Sequence, residues 1–244
     1  MNQDKLPIAE SFYSLQGEGM TTGYPAVFVR LAGCNLMCGG QGTQFDKELH
    51  NGATWRCDTI EVWMNGKMKP FEDCLDIESL EALKNGANLI ITGGEPMMNQ
   101  DRIVAFMDFL LAHYNLTPYL EIETNGTVLP SEDMKRVVSQ WNCSPKLTNS
   151  GNEKTIRYKL EVLQELNKLN TQFKFVISDL RDFQELSEDF IPFLDKNKIW
   201  LMPAGENQEL LDISKPVVAD ICKQHYLKMT NRLHIEIWNK KTGV

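Results

Sequence analysis

Three thiols lie close together early in the chain. Gly33-Cys34-Asn35-Leu36-Met37-Cys38 carries two, and Trp55-Arg56-Cys57-Asp58-Thr59 carries the third. Thiolates are soft ligands, suited to iron–sulfur clusters and to zinc. Structural zinc sites and closed clusters take four protein ligands. Three thiolates on a cubane leave one iron open to a small molecule, and an open position is where chemistry can occur. His50 lies between the second and third cysteines, so a Cys3His zinc site is the competing arrangement.

Arg30 stands four residues before Cys34, inside the run Pro25-Ala26-Val27-Phe28-Val29-Arg30-Leu31-Ala32. A guanidinium buried there must be paired, either in a structural ion pair or as a bidentate clamp on a substrate carboxylate. Upstream, Leu15-Gln16-Gly17-Glu18-Gly19 is a polar turn whose glycines let a ligand approach the main chain. Downstream come Thr92-Gly93-Gly94-Glu95-Pro96, Thr124-Asn125-Gly126-Thr127, Ser144-Pro145-Lys146, Ser178-Asp179 and Pro203-Ala204-Gly205. Each is small or polar, and each ends a strand-like run. Singly they are turn chemistry. Together with the thiol loop, on one face, they make a site.

The elements that must position these groups alternate along the chain. Strand-like runs fall at 25–32, 88–92, 119–123, 173–177 and 199–202, with a weaker one near 138–142. Helical segments are predicted near 77–86, 100–114, 131–139, 154–169, 182–196 and 207–227. Ile103, Phe106, Met107, Leu110 and Leu111 have helical spacing, as do Leu160, Leu163, Leu166 and Leu169, and both sets read as core. Strand–helix alternation predicts a parallel α/β sheet, with ligands at the strands' C-terminal ends. About six parallel strands are too few for a closed eight-stranded barrel, and 232–238 is a candidate last strand. Residues 39–56 lack either period and read as an excursion inserted in the metal loop.

With 244 residues, and no linker or repeat, the chain is expected to form one domain, 1–244. No run approaches the ~20 apolar residues of a membrane span, and the N-terminal residues lack a signal peptide's apolar core. A cytoplasmic location is therefore expected, where thiols stay reduced. The six cysteines then read as ligands or buried thiols, with Cys74, Cys143 and Cys222 as the latter. A net charge of −8 argues against bulk nucleic-acid binding and favours small-molecule partners.

These residues resemble the radical S-adenosylmethionine (SAM) superfamily, and within it the 7-carboxy-7-deazaguanine synthases. The likeness rests on Phe12-Tyr13-Ser14-Leu15-Gln16-Gly17-Glu18-Gly19, Phe28-Val29-Arg30-Leu31-Ala32-Gly33-Cys34-Asn35-Leu36, Cys57-Asp58-Thr59, Thr92-Gly93-Gly94-Glu95-Pro96, Glu123-Thr124-Asn125-Gly126 and Ser144-Pro145-Lys146. Lys174-Phe175-Val176 and Leu201-Met202-Pro203 extend it almost to the C-terminus. The resemblance implies an incomplete TIM-type barrel and a 4Fe–4S cluster on Cys34, Cys38 and Cys57, its open iron chelated by SAM. It implies radical conversion of 6-carboxy-5,6,7,8-tetrahydropterin to 7-carboxy-7-deazaguanine, with loss of ammonia and regeneration of SAM, on the path to queuosine. It further implies substrate contacts from Leu15, Gln16, Gly17, Arg30 and Thr92, and a Mg²⁺ contact from Thr59. SAM contacts are implied for Gly93, Gly94, Ser144, Pro145, Lys146, Lys174, Phe175 and Val176, with Glu123, Asn125 and Pro203 near the same mouth. A flavodoxin- or ferredoxin-type reductant and a homodimer are implied as partners.

The sequence departs from the superfamily pattern in two ways. Three and then eighteen residues separate the cysteines, where three and then two are usual. Arg56 precedes the third cysteine where an aromatic residue normally packs near adenine, and Trp55 stands one position earlier. A zinc module would leave Arg30 and the 92–96 motif without a role. The Gln16 turn, Arg30 and Thr59 disfavour a glycyl-radical activating enzyme.

Overall fold

The computed structural model describes residues 4–239, 241 and 243. Among them nine strands form one sheet: β1 Lys5–Leu15, β2 Pro25–Leu31, β3 Lys67–Pro70, β4 Asn88–Gly93, β5 Leu120–Thr124, β6 Gln140–Cys143, β7 Thr171–Ile177, β8 Ile199–Pro203 and β9 Lys228–Met229. Their spatial order is β3-β1-β2-β4-β5-β6-β7-β8-β9, so the sheet is open, with β3 and β9 at its edges. From β2 through β4 to β9 every neighbouring pair is parallel. Parallel neighbours need long crossovers, and these carry the helices Ile77–Lys84, Gln100–Tyr114, Glu132–Val137, Leu160–Asn167, Leu180–Asp189 and Gln208–His225. Among the described residues no helix is long and apolar enough to cross a membrane.

All six strand-like runs are strands. The parallel set gains β9, and β1 and β3 add an antiparallel flank. β1 was hidden because only Leu6 and Ile8 of its eleven residues are fully buried, leaving no clean alternation. Two residues of β9 give no pattern at all. The segment 232–238 is not a strand: Leu233–Trp238 is helical and buries Ile235. Leu233, Ile235 and Ile237 mimic a period of two only because the segment is so short. The helix expected over 154–169 breaks into Lys154–Arg157 and Leu160–Asn167. Between them Tyr158 is extended, its hydroxyl donating to Asp189 O at 2.8 Å. The 39–56 excursion holds one helical turn, Thr43–Asp46.

Side chains alternate across a strand, and the two faces of this sheet differ in kind. Val27, Val29, Leu31, Leu89, Ile91, Leu120, Ile122, Trp141, Phe173, Phe175 and Leu201 belong to the hydrophobic core. The alternate positions include Arg30, Glu121, Glu123, Gln140, Asn142, Gln172 and Lys174, most of them buried. Buried polar groups persist when they are hydrogen-bonded, and these are. Glu121 accepts from Thr21 Oγ1, Asn88 Nδ2 and Asn142 Nδ2 at 2.9, 2.8 and 2.6 Å. Gln172 donates to Asn142 Oδ1 at 2.6 Å and accepts from Met20 N at 2.8 Å. The loop after β1 is thereby laid across the polar face, where a ligand would meet it.

Candidate functional site

The 16–19 turn is bonded closely to that face. Gln16 is buried; its Nε2 donates to Glu123 Oε1 at 3.2 Å and its Oε1 accepts from Glu18 N at 3.1 Å. Lys174, 1% exposed, donates to Glu18 at 3.1 Å and to Glu123 at 2.8 Å. Burial alone would raise the Glu18 carboxyl, but Lys174 and Arg232 outweigh it and hold it far below the usual range. Burial likewise opposes charge on Lys174, and its two carboxylates outweigh that. At Glu123, burial prevails over Lys174 and raises the carboxyl. Gly17 is required by packing, since a Cβ there would lie 2.2 Å from His234 Nδ1. Leu15, half-buried, ends β1 just before this turn.

β4 ends against the thiol loop. Gly94 N donates to Leu31 O at 3.1 Å, and Glu95 N to Gly33 O at 2.8 Å. A Cβ at Gly94 would lie 1.8 Å from Gly33 O, and one at Gly93, whose φ is 130°, 2.2 Å from Leu31 O. Both glycines let two backbones touch at the approach to Cys34. Gly94→Ala is therefore expected to displace the Gly33–Cys34 peptide and lower stability by about 1–3 kcal/mol, the usual cost of overpacking. Chemical denaturation and iron content check this, and an alanine variant with wild-type values for both would contradict it. Glu95, fully buried, accepts from Thr124 Oγ1 and Asn125 N at 2.7 Å each and from Met97 N at 3.0 Å. Burial raises its carboxyl above the usual range in spite of these donors. Asn125 passes the connection on, donating to Asn35 Oδ1 at 2.9 Å.

The thiols are free and mutually close. Cys57 N donates to Cys38 O at 3.1 Å, and the Cys57 Sγ lies 3.4 Å from Thr59 Oγ1. Cys38 Sγ accepts from Asn152 Nδ2 at 3.6 Å. Burial pushes Cys34 up to about 11 and Cys38 up to about 12, and charge on neighbouring thiols adds to both. Such a pocket disfavours bare thiolates and fits a group that brings positive charge. His50 does not join them: its Nε2 sits 2.8 Å from Asp46 Oδ2. Among the described residues no three His, Cys, Asp or Glu side chains are gathered tightly enough to hold a metal ion. The Cys3His zinc site is thus not assembled.

The excursion is clamped to the turn beyond β6. Gly39 N donates to Ser150 O, and Thr54 N to Asn149 O, both at 2.9 Å. Trp55 Nε1 donates to Asn149 Oδ1 at 3.0 Å, and Lys146 Nζ stands 5.6 Å from the Trp55 ring centroid. Arg56 turns away, to Glu61 Oε1 at 2.7 Å and Thr43 Oγ1 at 3.1 Å. Trp55, not Arg56, therefore lies beside residues 144–146, where Pro145 is buried and Lys146 donates to Ser144 Oγ at 3.0 Å.

Arg30 donates Nε to Glu10 Oε1 at 2.7 Å across the β1–β2 pair, and Thr92 is its register partner on β4. Neither Nη of Arg30 makes a hydrogen bond among the described residues. On β7, Lys174 is held by carboxylates, and Phe175 is turned into the core, its ring centroid 4.9 Å from that of Phe190. The Phe175 side chain cannot reach a ligand on the polar face, so any contact from it falls to the main chain. Val176 is half-buried, and its carbonyl accepts from Asn149 Nδ2 at 2.9 Å. Ser178 shares a 2.9 Å hydrogen bond with Thr54, and Asp179 caps the following helix. Pro203 is buried at the end of β8.

No protein-family model matches the chain. Curated relatives do. The 7-carboxy-7-deazaguanine synthase of Clostridium acetobutylicum is 30% identical over 249 residues, covering 97% of this chain and 98% of its own. The chain belongs to the 7-carboxy-7-deazaguanine synthase family. The synthase of Halobacterium salinarum is 28% identical over 261 residues, covering 96% of this chain and 91% of its own. In fold, the chain is similar to the crystal structure of QueE from Escherichia coli, with a TM-score of 0.60 and 23% identity. That likeness covers 94% of this chain and 95% of the other.

As a member of this family the chain shows two polar residues that sequence reasoning passed over. Arg232 donates Nε to Glu18 Oε1 at 3.0 Å and Nη2 to Asp58 Oδ2 at 2.7 Å. Glu10 is the carboxylate that pairs Arg30. Glu10 lies in the unrecognised β1, and Arg232 in the segment misread as a strand. The available signal was an arginine and a histidine, Arg232 and His234, flanking an apolar residue in a chain otherwise acidic.

Proposed function

We infer that this chain is a radical SAM lyase that converts 6-carboxy-5,6,7,8-tetrahydropterin into 7-carboxy-7-deazaguanine with release of ammonia, using SAM catalytically, in queuosine biosynthesis. Full-length likeness to curated synthases supports the activity. The observation that carries it at the level of residues is a convergence. Arg30, Thr92, the 93–95 strand end and three free thiols gather at the C-terminal rim of the parallel strands, and the Gln16 turn crosses the adjoining polar face to reach Glu123 and Lys174. The unbroken chain order of the parallel strands supports reading that sheet as a partial barrel.

In this reading Cys34, Cys38 and Cys57 hold a 4Fe–4S cluster, and residues 93–94, 144–146 and 174–176 border SAM. When bound and reduced, such a cluster would supply the electron for reductive cleavage of SAM. The chain's own part is binding and orientation. Gln16 and the main chain at Leu15 and Gly17 meet the pterin, while Arg30 offers its Nη edge to the carboxylate. Thr59, beside Cys57, offers its hydroxyl to a Mg²⁺ ion, a hard cation that takes oxygen ligands. A flavodoxin- or ferredoxin-type protein is the proposed electron donor, and a homodimer in the cytoplasm the proposed state.

Arg30→Lys tests the substrate assignment. A point ammonium can keep the Glu10 pair but cannot supply a bidentate edge. Turnover is expected to fall about ten- to a hundred-fold, since hydrogen bonds to charged groups are worth roughly 1.5–3 kcal/mol. Iron content and SAM binding are expected to stay near wild type. Unchanged turnover in the lysine variant would return Arg30 to a purely structural pair.

A further inference from the structure

The Arg232 guanidinium joins three separate segments. Nε donates to Glu18 Oε1 at 3.0 Å, Nη1 to Gly205 O at 2.5 Å and Nη2 to Asp58 Oδ2 at 2.7 Å. Glu18 belongs to the 16–19 turn, Gly205 to the loop after β8, and Asp58 stands between Cys57 and Thr59. The next residues tighten the grip. Leu233 N donates to Gly17 O at 2.8 Å, and His234 occupies the space beside Gly17. Inward from Glu18 the path continues through Lys174 and Glu123 to Gln16. Charged and polar groups therefore connect the turn given above to the pterin with the residue that follows the third thiol.

The geometry makes this connection stiff. Charge-assisted hydrogen bonds are about twice as strong as neutral ones, and a planar guanidinium fixes the directions of its acceptors as a flexible ammonium does not. A ligand that orders the 16–19 turn thus orders Arg232, and through it the Cys57–Thr59 stretch. We propose that Arg232 is a positioning residue that couples the pterin turn to the cluster loop, so that pterin and SAM each bind more tightly when the other is in place. The proposal rests on the substrate reading above. A merely structural arginine would lower both affinities and leave their interdependence untouched.

The test is linkage, measured anaerobically by calorimetry on the reconstituted enzyme. The probe is 6-carboxypterin, the oxidised and unreactive relative of the substrate, titrated with and without saturating SAM. In the wild type SAM is expected to tighten pterin binding about tenfold, within the usual range of coupling, and pterin to tighten SAM by the same factor. In Arg232→Lys the factor is expected to fall to about one. Asp58→Asn guards against misfolding, because the Asp58 side chain is 44% exposed and the Arg232–Glu18 bond remains. It is expected to lose the coupling while binding each ligand alone within about threefold of wild type, because Arg232 keeps its bonds to Glu18 and Gly205. A wild-type factor of one, or a factor retained in both variants, overturns the coupling while leaving the substrate reading intact. A wild type that binds SAM but not 6-carboxypterin refutes the substrate reading and the coupling together.

Discussion

Alanine at Cys34, Cys38 or Cys57 is expected to abolish SAM cleavage and to remove most of the iron from the chain. Wild type reconstituted anaerobically is expected to carry about four irons and four sulfides, as a cubane requires. A cluster held by only three thiolates has no spare ligand, so each loss is decisive. The other cysteines cannot step in. Cys74 and Cys222 each donate to a backbone carbonyl in the core, Pro70 O at 3.2 Å and Lys228 O at 3.5 Å. Cys143 is fully buried among core side chains on the apolar face. His50→Ala is expected to keep both iron and SAM cleavage, because its ring is engaged with Asp46 outside the thiol group. Iron and sulfide analysis with measurement of 5′-deoxyadenosine reads all four variants. Iron lost from the His50 variant would contradict the three-thiolate assignment.

Lys174→Met is expected to be the most destabilising single change on the polar face. Removing one partner of a buried pair typically costs about 3–5 kcal/mol, because the other charge stays buried. Here two carboxylates lose their shared cation. Glu18 retains Arg232, whereas Glu123 keeps only the amide donors of Gln16 and Asn142. The sign with pH follows. Burial already raises the Glu123 carboxyl, and without Lys174 it rises further. A group with a raised folded pKa costs nothing below its unfolded value and loses stability as pH climbs through the folded one. The deficit of the variant is therefore expected to grow from acid to neutral pH. Urea unfolding at several pH values measures it, and a deficit below 1 kcal/mol at neutral pH would contradict the buried-pair account.

Much of this was legible because the chemistry recurs at the same structural place. Every parallel strand long enough to show an apolar run was recognised, and the polar motifs at their ends fall on one rim. What escaped is what lies on the polar face or at an edge. β1 carries Glu10 among half-buried neighbours, so it has neither the alternation of an amphipathic strand nor the run of a central one. Lys174 entered the candidate site through the resemblance alone, and its ion-pair partners could not be read from the sequence. The partners are Glu18, far away in sequence, and Glu123, and only the fold brings the three together. Trp55 and Arg56 could not be told apart by spacing. The hydrogen bonds of Trp55 to Asn149 and of Arg56 to Glu61 separate them.

One measurement bears most directly on the whole account. The reconstituted enzyme is incubated anaerobically with 6-carboxy-5,6,7,8-tetrahydropterin, SAM and a strong one-electron reductant, and the products are followed by mass spectrometry. The expected result is one 7-carboxy-7-deazaguanine and one ammonia for each pterin consumed, with SAM remaining after many turnovers. An enzyme that holds its cluster and cleaves SAM, yet leaves the pterin unchanged, would contradict it.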